Sequence, residues 1–555
     1  MIQKFLSSET KSISTASLIL AVSYLSSAFL GLLRDRLLAG TFGAGNELDV
    51  YYTAFTVPDF IALVFIFGAI SAAVIPIFSE HLVKSKEEAW RYFSKLLNIF
   101  FVFLITICAV LMIFTPTIIS IIAPGFSPAK KEVAVMLMRI MFLSPIILGA
   151  SNMVSAILQV FHRFIATALA PIFYNLGIIT GILFFVPRFG LVGLAFGVVF
   201  GGIMHLLIQL PAFFFSGFRY KPSFDFKDAS VIKTIRLMIP RSLGLGAGQL
   251  NTIAITAIAS TLMAGSIAVF NLASNLAMIF LNTIVVSLST ASFPAMSMAF
   301  IRGNRNGEED GNGAFLKKFS EIFNQIIFLI IPTSLLIIIL RAQVVRVILG
   351  AGKFGWVDTK LTTACLGIFA LNLIAQALIL FLSKAFYAAY DTKTPAIISG
   401  LTVIFNIILS LLLVWLVNFS PTLNFFLQRF LRLGGVANVG IVALALACTI
   451  TVILEALVLF YMFYKKFPLL EVDKIYKSFY KILIASLFMA VAVFIMRQIV
   501  GSLINLQSFW AVFLQLILSG GTGLVVYFYL THLLKSPENK IIIDLFWKKF
   551  FYSSK

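Results

Sequence analysis

Arg34, Asp35 and Arg36 interrupt a run from Ala16 to Ala39 that is otherwise apolar or hydroxyl-bearing. A charged side chain at mid-membrane depth costs roughly 2.5–3.5 kcal/mol on insertion scales, so it faces a bundle interior or a wet cavity. A guanidinium makes paired hydrogen bonds to phosphate that a lysine's point charge does not reproduce. Ser23, Ser27 and Arg34 stand at i, i+4 and i+11, which is one stripe of a helix. Asp49, Tyr52, Thr53 and Thr56 make a second stripe, Arg241, Gly248, Thr252 and Thr256 a third, and Asn271, Asn275 and Asn282 a fourth. Helices that turned these stripes toward one another would enclose a polar, net-cationic cavity. Its candidate substrate-binding residues are Arg34, Asp35, Asp49, Arg241, Asn271 and Asn275. Arg34 would hold a diphosphate, Arg241 would support it, and Asp35 or Asp49 would hold the guanidinium in place. The competing reading is structural: Arg34 to Arg36 reach for the interface from a helix end, and Ser, Thr and Asn tie helices together.

Other patterns carry less. Gly244-Leu245-Gly246-Ala247-Gly248 follows no strand and reads as helix-packing glycine rather than a dinucleotide loop. Gly350-Ala351-Gly352-Lys353-Phe354 lacks the Ser/Thr and the spacing of a phosphate loop. Cys108, Cys365 and Cys448 lie in apolar runs, and His81, His162, His205 and His532 are scattered, so no disulfide framework and no metal site is expected. Glu455 is a lone carboxylate in an apolar run, read as a satisfied or cavity-edge group rather than an ion-coupling one. No cofactor is expected.

The helices that would carry the stripes follow from composition. The chain has 555 residues, 60% hydrophobic and 12% charged, with mean hydropathy +1.04 and 58 Phe. Soluble domains are nearer half apolar and a quarter charged, so this is an all-α polytopic membrane protein. Spans of about 20 residues cross the hydrocarbon core, and about fourteen fit the hydropathy. The first, from Ala16, is broken by serines and closed by charge, so it reads as a retained helix rather than a cleaved signal.

Lys and Arg number 42 against 22 Asp and Glu, a net charge of +20. In a polytopic chain that excess reflects cytoplasmic loops rather than nucleic acid. With the N-terminus inside, the inward segments hold 28 basic residues and the outward loops 10. Both ends are therefore expected in the cytoplasm.

The chain repeats itself weakly. Pro76-Ile77-Phe78-Ser79 matches Pro294-Ala295-Met296-Ser297, Phe93-Ser94 matches Phe319-Ser320, and Asn175 matches Asn406. The expected organisation is a six-helix lobe over 1–216, a cytoplasmic linker over 217–234 and a second six-helix lobe over 235–464. Two added spans over 465–534 and a cytoplasmic tail over 535–555 follow. An even number of helices per copy makes the lobes parallel, related by an axis along the membrane normal, which suits an alternating-access carrier.

The chain resembles the MurJ/MviN family of lipid II flippases, within the multidrug/oligosaccharidyl-lipid/polysaccharide exporter group. The likeness lies in Leu30-Gly31-Leu32-Leu33-Arg34-Asp35, Phe42-Gly43-Ala44-Gly45, Asp49 and Ala54-Phe55-Thr56-Val57-Pro58. It continues through Gly68-Ala69, Pro76, Pro171, Tyr174-Asn175-Leu176-Gly177, and Phe386-Tyr387-Ala388 to Asp391-Thr392-Lys393-Thr394-Pro395. The resemblance implies a carrier in the bacterial cytoplasmic (inner) membrane that turns an undecaprenyl-diphosphate-linked peptidoglycan precursor from the inner to the outer leaflet. It implies a headgroup cavity lined by arginines, with Arg34, Asp35 and Asp49 matching the pattern. Three other basic positions do not match. The Ser-Arg before the first helix's Gly falls on Ser27-Ala28, the Arg pair after the Pro-Asn of span two on Ala62-Leu63, and the Ala-Asp-Arg of span eight on Ala273-Ser274-Asn275. The Glu before Gly68 is Phe67. Arg241 would replace some of that charge.

The reading is a transporter and not an enzyme: a lipid II flippase for cell-wall biogenesis. Its partners would be lipid II or a similar polyprenyl-diphosphate glycolipid, membrane lipids, and other cell-wall synthesis proteins, with no nucleic acid. The alternatives are a flippase for another lipid-linked glycan, a drug or cation exporter of the same group, and a membrane-embedded glycosyltransferase. The last would want a carboxylate cluster beside a large outward loop, and the segments 341–358 and 418–435 hold only Asp358.

Overall fold

In the computed structural model the described residues are 13–67, 70–305, 312–436 and 438–540, and all regular structure among them is helical. Contacts divide the chain into two compact units. One runs to Ala268 and takes in Ala351–Phe354; the other holds Val269–Gly350 and continues from Gly355.

The first unit contains α1 (Ile13–Phe42), α2 (Asn46–Ile61), α3 (Ile70–Lys84), α4 (Lys86–Ile122), α5 (Pro128–Met141) and α6 (Leu143–Val160). It continues with α7 (Phe164–Thr180), α8 (Val192–Leu207), α9 (Leu210–Phe215) and α10 (Ala229–Ser260). The helix α11 (Ser266–Leu281) starts in the first unit and ends in the second. The second unit adds α12 (Ser287–Arg305), α13 (Gly313–Ile348), α14 (Trp356–Ala388), α15 (Lys393–Phe419), α16 (Pro421–Phe430), α17 (Gly440–Lys466), α18 (Val472–Leu503) and α19 (Phe509–Leu533). Side chains supply several helix starts: Ser85 accepts from Glu88 N–H at α4, Asp228 from Ser230 and Val231 at α10, and Ser508 from Ala511 at α19.

Among the described residues, twelve helical stretches are long and apolar enough to cross a membrane. Neither α1 nor α10 is among them, although they run to 30 and 32 residues. These two carry the Ser23–Ser27–Arg34 and Arg241–Thr252–Thr256 stripes. With them, each expected span has a helix. The matched segments also repeat in local structure: α2 is 16 residues long and runs into a π turn over Ala62–Phe67, and α11 is 16 residues long and runs into one over Asn282–Val286. Each π turn is followed by a helix with an internal proline, Pro76 or Pro294.

Within the first unit, α7 and α8 meet along glycines spaced four apart. A Cβ added to Gly177 would lie 2.3 Å from the Cα of Gly201, and one added to Gly181 would lie 2.4 Å from that of Gly197. Small residues at this spacing let two helix backbones touch, which is how membrane helices gain packing energy without a hydrophobic drive between them. The contact fixes Asn175, Tyr174 and His205, which stand on the same two helices.

The linker before α10 is fastened to α4. The Lys95 ammonium reaches Asp228 at 2.8 Å and Asp225 at 3.1 Å, and Tyr220 donates to Asn98 Oδ1 at 2.7 Å. Burial acts to raise the Asp228 carboxyl, but Lys95 and the Ser230 and Val231 N–H groups outweigh it and hold the group below the usual carboxylate range. In the second unit the core is aromatic: Phe319 stacks on Phe463 with ring centroids 4.3 Å apart, and Phe381, Phe386 and Phe467 complete the cluster.

Leucine at Gly181 is expected to force α7 from α8, at about 1–3 kcal/mol for the overpacking. Gly400 of α15 has nothing within 4 Å of an added Cβ, so Gly400→Leu serves as the control. Thermal unfolding in detergent should show a lowered Tm for Gly181→Leu alone. Equal melting of the two variants would show that the α7–α8 contact is not close in the folded protein.

Candidate functional site

Arg34 sits on the last turns of α1, and its guanidinium is held from one side. Nε and Nη2 both donate to Asp35 Oδ1, at 3.1 and 2.8 Å, and Nη1 donates to Asn175 Oδ1 at 3.2 Å. Because arginine has only donors, Asn175 must turn its carbonyl to Arg34. Its amide nitrogen then donates to the Ser27 hydroxyl and carbonyl and to Pro171 O. Ser23 donates to Ala168 O. The α1 stripe of Ser23, Ser27 and Arg34 is therefore a seam along α7: the serines join helices, and Arg34 ends the seam on a cavity.

That cavity is about 250 Å³ and is lined by Arg34, Asp59, Ala62, Ser144, Tyr174 and His205 among others. The π turn after α2 begins at Ala62, and such turns recur at functional sites. Ala62 is also where the resembling pattern has arginine, so part of this room is what a small side chain leaves. Asp59 shares the cavity with Arg34, and the charge acting on it is the Arg34 guanidinium. Asp35 places a second carboxylate beside Arg34. His205 is buried and its Nδ1 is 2.7 Å from the Ser151 hydroxyl. Gln209 fixes that serine by donating to it at 2.8 Å and accepting from Ser155 at 2.6 Å.

Asp49 does not stand with Arg34's partners. It is buried, and its carboxylate accepts from the backbone N–H of Gly265 at 2.6 Å and of Ala268 at 2.9 Å. It therefore caps the first turn of α11, where a helix offers unpaired N–H groups and positive potential. The approach is tight, since Gly265 has φ +90° and a Cβ there would lie 1.9 Å from Ala44 O. The same end of the first unit has two more backbone contacts: Lys353 N–H donates to Gly40 O at 2.8 Å, and Gly125 N–H to Ser260 Oγ at 3.2 Å.

Arg241 lies on α10, and its side chain is outside the described residues, as are Gly68 and Ala69 of the resemblance and the chain beyond Asn539 and Lys540. Asn271 and Asn275 stand on α11 in the second unit, both partly buried. Asp59, Tyr174 and His205 were not singled out as site residues from the sequence, and Asn175 was read as a repeat position and as part of the family motif. Asp59 could have been found: it lies three residues after Thr56 and seven after Tyr52, on the polar stripe of α2. Among the described residues no group of three or more His, Cys, Asp or Glu could hold a metal ion.

A family model described as lipid II flippase MurJ matches residues 38–514. The chain belongs to the MurJ family. Similar proteins include a probable lipid II flippase MurJ of Buchnera aphidicola subsp. Acyrthosiphon pisum, 30% identical over 386 residues, 68% of this chain and 74% of that one. Another is the probable lipid II flippase MurJ of Thermotoga maritima, 29% identical over 387 residues, with 70% and 76% covered. Among solved structures, a lipid II flippase MurJ in an inward closed conformation superposes with TM-score 0.72 at 24% identity, covering 96% of this chain and 99% of that one. An inward-facing multidrug MATE transporter gives TM-score 0.64 at 14% identity, covering 81% and 99%. At these identities the two structures speak for the fold. Membership of the MurJ family and the apolar helices make this an all-α, multi-pass membrane protein.

The capping role of Asp49 makes a prediction for this MurJ-family chain. Asp49→Ala removes two charge-assisted hydrogen bonds and leaves buried N–H groups unmet, which should cost about 1–2 kcal/mol. Hydrogen exchange at Gly265 to Ala268 is expected to speed up while that of α7 stays as it was. Unchanged exchange at these amides would contradict the cap.

Proposed function

We propose that this chain is a flippase that carries lipid II across the bacterial cytoplasmic membrane by alternating access, without covalent chemistry. The observation that carries the reading is Arg34: a guanidinium fork oriented by Asp35 and Asn175 at the edge of a cavity, in a chain of the MurJ family. An arginine so held offers the diphosphate a preset geometry, so little conformational entropy is lost on binding. Asn271 and Asn275 would meet the glycan from the second half, and Arg241 would supply a second cation. The polyprenyl tail would stay in lipid. Other cell-wall synthesis proteins would supply the substrate on one face and consume it on the other. Exporter and glycosyltransferase readings have no observation of their own to favour them.

The basic asymmetry supports both termini in the cytoplasm, with the lobes 1–216 and 235–464 rocking about a shared axis. In that orientation the end closed by Asp49, Gly265, Gly40 and Lys353 is the outer one. Single cysteines at Ser85 and Ser420, in a background lacking native thiols, report this. Ser85 should resist an impermeant thiol reagent in intact cells and Ser420 should react; the opposite pattern would overturn the orientation.

Flipping of labelled lipid II in liposomes, read by leaflet-specific quenching, tests the function. Arg34→Gln should lose about 10- to 100-fold in headgroup binding, the worth of about 1.5–3 kcal/mol for a charge-assisted hydrogen bond. Arg34→Lys should lose less, and Arg241→Gln should be weakened. Wild-type flipping by Arg34→Gln would sink the assignment of Arg34.

A further inference from the structure

The carboxylate of Asp59 opens on the 250 Å³ cavity, yet it makes no hydrogen bond and no ion pair among the described residues. It stands one helical turn beyond Thr56 on α2, half-buried in the first unit. Arg34, the cation in that cavity, is already engaged by Asp35 at 2.8 Å. Among the described residues, the other titratable groups around it are Tyr51 and Tyr52 on its own helix, Tyr174 from α7 and His205 from α8, the Arg241 side chain of α10 lying outside them. From α6 come Ser144, Pro145 and Leu148, none of them charged, and the described α10 side chain that reaches this turn is Ser242, which donates to Val64 O. His205 has Nδ1 committed to Ser151, and its Nε2 has no hydrogen-bond partner among the described residues.

Asp59, when ionised, has no hydrogen-bonded counter-charge among the described residues and stands in a region that solvates it poorly. An uncompensated buried charge is neutralised by a counter-charge or by a proton. A diphosphate arriving at Arg34 would bring further negative charge into the same small cavity, and like charges brought close favour the protonated carboxyl.

We propose that Asp59 is a proton-binding site linked to headgroup capture: it takes up one proton when the diphosphate engages Arg34 and releases it when the headgroup leaves. The proton comes from water onto an Asp59 carboxylate oxygen and returns to water, with no other bond made or broken. With Asp59 neutral, the Arg34 charge is shared with Asp35 alone and is available to phosphate. A metal cation fits the cavity less well, because it would share the space with a guanidinium and find few oxygen side chains, chiefly Asp59, Ser144 and Tyr174. This inference deepens the flippase reading and rests on Arg34 as the phosphate ligand.

The test is calorimetric titration of the purified full-length chain with lipid II, at one pH in two buffers of different ionisation enthalpy, repeated across pH. The wild type should take up about one proton on binding, and its affinity should fall as pH rises, by up to tenfold per pH unit. Asp59→Asn should bind with almost no proton uptake and with an affinity that no longer changes with pH. Asp59→Glu should keep the uptake, and so should His205→Gln. Tight wild-type binding without uptake would overturn the proposal, as would equal uptake in Asp59→Asn. Uptake lost in His205→Gln but kept in Asp59→Asn would also overturn it, as would an affinity set by sodium concentration rather than pH. If Asp59→Asn does not fold, the wild-type uptake and the Asp59→Glu profile still decide. Absence of any lipid II binding by the wild type would instead count against the flippase reading itself.

Discussion

The pairing of Arg34 with Asp35 and Asn175 is the interaction around which the first unit is arranged. A guanidinium among membrane helices is tolerated only when its donors are met. Here one carboxylate oxygen takes two of them and an amide oxygen takes a third. The amide is itself oriented by Ser27 and Pro171, so the position of Arg34 depends on how α1 lies along α7. That in turn depends on α7 lying hard against α8, which the glycines at 177, 181, 197 and 201 permit. Packing of small residues, a polar seam and one charged group thus form a single chain of dependence.

The same accounting separates two carboxylates that looked alike in the sequence. Asp49 is consumed by the N-terminus of α11, where two N–H groups satisfy it. Asp59 faces the cavity without such partners. Only the second is free to answer a change of charge at Arg34. The contacts at Gly125 and Gly265 bring backbone against backbone and leave no room for a Cβ.

Much of the architecture was legible because hydrophobicity and length alone determine which segments can cross a bilayer. That holds for α1 and α10 as well, whose apolar runs carry the polar stripes. The Ser23–Ser27–Arg34 register was readable too, since 3.6-residue periodicity sets which side chains share a face. What that face meets was not readable, because a stripe does not name its partner helix, and Asn175 therefore drew notice as a repeat and a motif position, not as a partner of Arg34. Asp59 was missed although it continues the α2 stripe past Pro58. The capping of α11 by Asp49 joins residues more than two hundred positions apart and left no local trace.

The central claim is that Arg34 receives the substrate's diphosphate. A structure of the chain with lipid II bound tests it most directly. The account predicts phosphate oxygens at about 2.7–2.9 Å from the Arg34 guanidinium nitrogens, with the fork still steadied by Asp35 or Asn175. A bound lipid II whose diphosphate lies elsewhere, with Arg34 making only its present contacts to Asp35 and Asn175, would contradict it.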